Sequence, residues 1–145
     1  MSHVRQQIRE RVGSLLTAAA VATTISQSRV FIVPAGAQAA LIYTNAESVE
    51  PATLTYPRKL TRTLSLIVEV ITRATSDLDD ALDALCVKVE EAIAADYTLN
   101  GLADDTVLAS TAITHSFDGD APIGSARMEF LVSYRTVETD ADTAV

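Results

Sequence analysis

A chain of 145 residues with 48% hydrophobic and 21% charged side chains has the size and composition of one folded domain, which excludes wholesale disorder and fibrous repeats. Nineteen acids against eleven bases give a formal charge of -8, so nucleic acid is repelled unless the bases gather on one face. The single cysteine, Cys86, excludes an internal disulfide and a thiolate metal cage, and makes a reducing interior the default compartment.

Arg5, Arg9 and Arg11 ahead of the apolar run from Leu15 to Ala22 imitate a signal peptide, but Glu10 interrupts the bases and helical periodicity already begins at Val4. No run reaches the roughly 18 apolar residues of a bilayer span, so no membrane crossing is expected. Residues 3 to 24 are predicted as a helix, with Val4, Ile8, Val12, Leu15, Leu16 and Ala19 on one arc. Short strands are expected at Val30 to Val33 and at Ala39 to Tyr43, around Pro34 and Gly36. Thr44 to Lys59 shows neither period and contains Pro51 and Pro57, which predicts a long loop. The clearest strand follows, Leu64, Leu66, Val68 and Val70 pointing one way and Thr63, Ser65, Glu69 and Arg73 the other.

Ser76 or Asp77 is placed to cap a second helix, running to about Asp96 with Asp79 and Asp80 near its positive end. Its apolar arc holds Leu78, Leu82, Leu85, Val89 and Ile93; the opposite arc holds Asp79, Asp80, Asp83, Glu90 and Glu91, with Val87 among the acids. Val107 to Phe117 and Ala126 to Thr136 alternate around a turn-rich Asp118 to Gly124, which predicts an antiparallel hairpin. The order of elements predicts an α+β fold: a two-layer sandwich of a mixed, mostly antiparallel sheet with two helices on one face. Residues 1–136 form the single domain and 137–145 an acidic flexible tail.

Candidates for chemistry are few. His115 would need an oriented carboxylate and a nucleophile, and Asp118 and Ser110 are near it only in sequence. Cys86 sits at the edge of an apolar arc with no basic neighbour to make it reactive. Asp104-Asp105 and Asp118-Gly119-Asp120 do not continue into a calcium loop, and the five glycines are too dispersed for a nucleotide fingerprint. No catalytic, cofactor or metal site is expected. Arg58, Lys59 and Arg62 form the densest basic cluster, suited to carboxylates at a protein interface, and the acidic helix face is its natural counterpart.

The segments Leu64-Ser65-Leu66-Ile67-Val68-Glu69-Val70, Ser76-Asp77-Leu78-Asp79-Asp80-Ala81-Leu82-Asp83 and Ala126-Arg127-Met128-Glu129-Phe130-Leu131-Val132-Ser133-Tyr134-Arg135-Thr136, behind an N-terminal amphipathic helix, resemble the tail terminator proteins of long-tailed bacteriophages, the minor tail protein U type. The likeness spans about residues 3 to 136. It implies a structural virion protein, made in the host bacterial cytoplasm, that forms a ring, usually hexameric. That ring caps the tail tube at its head-proximal end, stops its polymerisation and meets the head connector, while DNA passes through without being held. On this view Arg58, Lys59 or Arg62 faces carboxylates such as Asp79, Asp83 or Glu90, beside Val87, across a subunit interface, or contacts the tube. The competing class is a small α+β ligand-binding or regulatory domain, which predicts a monomer or dimer with a deep pocket.

Overall fold

The computed structural model describes residues 2–27, 38–73, 77–116 and 122–145. Its elements are α1 (Val4–Ala18), β1 (Thr24–Ser26), β2 (Gln38–Pro51), β3 (Lys59–Arg73), α2 (Leu78–Ala94), β4 (Asp105–Ser116), β5 (Ile123–Val137) and β6 (Asp140–Ala144). The sheet runs β1-β2-β3-β5-β4, with β1 parallel to β2 and the remaining neighbours antiparallel; β6 pairs the end of β5. This is the expected α+β sandwich. Both helices bury their apolar stripes, Val4, Ile8, Val12 and Leu16 from α1 and Leu82, Leu85, Val89 and Ile93 from α2, against one sheet face. That face is built from Ala40, Ile42, Leu64, Leu66, Val68, Val70, Met128, Phe130 and Val132. The alternation along β3 and β5 thus decides which side chains meet the helices.

α1 stops six residues before the predicted end. Val21 N–H donates to Leu16 O (3.2 Å) and Ala20 N–H to Thr17 O (3.1 Å), the paired bonds of a Schellman cap, with Val21 buried beneath. Ala20 takes the left-handed backbone this cap needs, φ 51°, where glycine is usual. α2 differs at its start. Asp77 is the N-cap but also left-handed (φ 54°) and makes no side-chain cap bond, so only the acids Asp79 and Asp80 of the first turn match expectation. Ser76 lies outside the described residues, as do the predicted strand Val30 to Val33, Phe117 and the Asp118-Gly119-Asp120 turn. The first turns of α2 press on β5 at Gly124, where an added Cβ would lie 2.8 Å from Leu82 Cδ1 and 3.0 Å from Leu78 Cγ.

The predicted loop Thr44 to Lys59 is the largest departure. β2 continues to Pro51 and pairs β3 down to Leu60, so the segment is mostly one side of a long hairpin. A bulge between Thr44 and Ala46 inserts one residue and reverses the in-out phase, which hides the alternation from any fixed period. The terminal segment, expected as a flexible tail, carries β6, whose Thr136↔Ala144 and Val137↔Asp140 pairs continue the sheet beside β5 beyond the start of β4.

Candidate functional site

The end of the β2–β3 hairpin forms an exposed arm, residues 48–52 and 54–59 standing in solvent while Lys59 and Leu60 stay paired to Val137 and Thr136 of β5. Its turn is closed by Ala52 N–H donating to Lys59 O (2.7 Å) and Lys59 N–H donating to Thr53 Oγ1 (2.9 Å). It is tied to the β5–β6 turn as well: Arg58 N–H donates to Glu138 Oε1 (3.0 Å), Glu138 N–H to Arg58 O (2.8 Å), and the two side chains form an ion pair at 3.5 Å. On this braced turn Leu54 is 91% exposed and Tyr56 72%. Two large apolar side chains are therefore held out to water by a turn whose two ends are fixed by hydrogen bonds.

At the base of the arm the phase reversal turns Glu47 inward, opposite Leu64. There its carboxylate accepts from Arg5 (2.7 Å), from Arg62 (3.0 Å) and from the Tyr134 hydroxyl in a short hydrogen bond. Arg62 Nε also donates to Thr136 Oγ1 at 2.9 Å. Tyr134 is fully buried and Arg62 and Glu47 nearly so, which makes this a buried ionic cluster in which each charge has a partner. Burial, and then the bond to Glu47, pushes the Tyr134 hydroxyl well above the usual tyrosine range. His3 Nδ1 accepts the Arg5 N–H (3.1 Å) as the cap of α1; burial first, then Arg5 and Arg62, lower its pKa, with Glu47 opposing.

Of the basic residues singled out, Arg58 and Lys59 lie on the arm surface, whereas Arg62 does not. It shares the inward phase of Leu64 and Leu66, and its guanidinium is taken up by Glu47 and Thr136, so it is structural rather than a surface contact. The acidic face of α2 is as expected: Asp79, Asp83 and Glu90 are exposed and Val87 stands among them at 49%. His115 Nε2 meets Asp79 Oδ1 at 2.9 Å, a pairing that sequence proximity to Asp118 and Ser110 did not suggest. Cys86 lies at the core edge, its thiol pushed up by burial and then by Asp83 and Glu90. Asp104 pairs with Arg135 (3.0 Å) and Asp105 accepts Thr106 N–H (2.9 Å).

The sheet face away from the helices carries a second polar network. Glu69 accepts from Ser125 (2.8 Å) and Tyr43 (3.2 Å), and Glu129 accepts from Ser65 (2.7 Å). Burial, followed by the Glu69 charge, raises the Tyr43 pKa. A cleft of about 120 Å³ opens there over Ile67, between Arg127 and Glu129, well below the roughly 300 Å³ at which small-molecule pockets begin. A recess of about 690 Å³ between α1 and β1, lined by Gly13, Ser14, Thr17, Ile25 and Gln27, offers one ionisable side chain, Glu10, and adjoins residues outside the described set. Among the described residues no three His, Cys, Asp or Glu side chains gather where they could hold a metal ion. No described helix is long and apolar enough to cross a membrane.

Sequence reasoning missed the tip and the cluster. Leu54 and Tyr56 were hidden inside the unpatterned stretch, although Thr53-Leu54-Thr55-Tyr56 alternates between two prolines. Tyr134 falls on the core face with Met128, Phe130 and Val132, as its alternation predicts, and Arg62 could have been placed in the same way, since it continues the inward-facing alternation of Leu64 and Leu66. No family model and no curated protein matches the chain. Among solved structures, one similar chain comes from the virion of a native gene transfer agent particle, at 14% identity and a TM-score of 0.42, with 90% of this chain and 92% of that chain covered. A likeness at that level leaves the role of this chain to its own residues.

Proposed function

We propose that this chain is a structural virion protein, a tail terminator whose copies form a ring on the tail tube, stop its polymerisation and present a surface to the head connector. The observation that carries the reading is the braced arm, which presents Leu54 and Tyr56 to solvent on a turn anchored by Glu138. A subunit that works by contact needs such a preformed anchor, because ordering it beforehand lowers the loss of freedom on docking. The resemblance in the β3, α2 and β5 segments supports the same role and supplies the ring, its usual hexameric count, the tube and the connector. The net charge of -8 suits a lumen along which DNA slides without being held. In this role the protein makes and breaks no covalent bond and needs no cofactor.

Negative-stain microscopy of concentrated protein, with and without tail tubes, tests the proposal. Rings with an axial hole, or caps on tube ends that halt tube growth, are expected. Bare tube ends and a persistent monomer or dimer under both conditions refute it.

A further inference from the structure

We infer that the apolar tip of the arm seats on the outward face of α2 in a second copy of this chain, and that this contact is the joint of the ring. The inference rests on the ring reading above and names its interface. At about 100° per residue, Val87 and Ala94 fall on one stripe of α2, with Asp83 and Glu90 on one flank and Asp80 and Glu91 on the other. All six are exposed. The stripe is a shallow apolar track with acidic rims. The tip has the opposite character: Leu54 and Tyr56 at its centre, with the exposed Lys59 where the turn re-enters the sheet, beside Arg58, whose charge is met by Glu138 of the same chain.

The two surfaces belong to different layers of the chain: the track of Val87 and Ala94 is on the face of α2 turned away from the sheet, and the tip is the turn between two strands of the sheet itself. Two different, complementary patches on one chain make a head-to-tail contact, the kind that closes into a ring when the rotation allows. A tip-to-tip contact is disfavoured because it would bring the Lys59 side chains of both copies together.

Cross-linking tests the joint. In a Cys86→Ala background, chains carrying both Leu54→Cys and Val87→Cys should give, on mild oxidation, a ladder from dimer up to the closed ring, while either cysteine alone should not. Rings that form without a 54–87 cross-link, or a dimer from Leu54→Cys alone, overturn the inference and leave the ring reading standing. Failure of the wild-type chain to form rings or cap tubes overturns the ring reading itself. As an independent arm, Lys59→Glu should weaken self-association roughly tenfold by sedimentation at unchanged thermal midpoint, and mixing with Glu90→Lys chains should restore it. Unchanged association of Lys59→Glu, or no restoration on mixing, counts against the joint.

Discussion

Replacing Glu47 by alanine tests whether the cluster at the arm base holds the fold together. The substitution removes one carboxylate but strands three donors: Arg5, the Arg62 terminal nitrogen and the fully buried Tyr134 hydroxyl. Arg5 is 39% exposed and turns to water at little cost, whereas Arg62 keeps only its Nε bond to Thr136. An unpaired buried charge costs about 3–5 kcal/mol and an unmet hydroxyl about 1–3 kcal/mol; with water reaching the partly open end of Arg62, a loss of about 4 kcal/mol is expected. At an m-value of about 2 kcal/mol/M this moves the urea midpoint down by about 2 M, read by circular dichroism at neutral pH. The double variant Glu47→Leu with Arg62→Met removes both charges and should recover to within about 1 kcal/mol of the parent chain. If Glu47→Ala loses under about 1 kcal/mol, or the two single losses simply add in the double variant, the cluster is not the coupled unit described here.

Three further outcomes follow from local geometry. Ala20→Gly should stabilise the protein by about 1 kcal/mol, since Ala20 holds the left-handed position of the α1 cap; a lower thermal midpoint would contradict that assignment. Gly124→Ala should destabilise by about 1–3 kcal/mol, because its Cβ meets Leu82 and Leu78 in a filled contact, and a neutral result would show that α2 can slide on β5. His3 has a lowered pKa when folded, so folding favours its neutral form: that contribution is present above about pH 6.5 and is lost as the pH falls toward the folded value. Thermal midpoints taken from pH 7.5 to 5.5 should therefore fall more steeply for the parent chain than for His3→Gln, and parallel curves would remove His3 as the cause.

The sandwich was legible because its central strands and helices keep strict periods. Leu64 to Val70 and Met128 to Tyr134 alternate without interruption, and both helices carry continuous apolar arcs. What the periods could not show were the places where the chain changes phase or handedness. The bulge near Asn45 made β2 look like a loop, and the left-handed Ala20 ended α1 without a glycine to announce it. β6 was hidden for another reason: five mixed residues, Asp140 to Ala144, pair with β5 only because β4 begins too late to occupy that edge. Arg62 was the error of principle, because three nearby bases suggest a surface patch, yet alternation puts Arg62 alone on the inward face.

The bulge links the buried cluster to the exposed tip. Without the inserted residue, the alternation through Ile42 and Thr44 would carry Ala46 and Ser48 inward, and Glu47 would point to the opposite face, away from Arg62 and Tyr134. With it, the arm begins at a point where its strand is fastened to α1 through Arg5, to β3 through Arg62 and to β5 through Tyr134. Eleven residues further on, at Arg58, the other end of the arm is fastened again, to Glu138 in the β5–β6 turn. An arm held at base and tip has little freedom to swing, so its direction is set by the core. A projection fixed in that way can define the angle between neighbouring subunits, which a flexible loop of the same composition could not do.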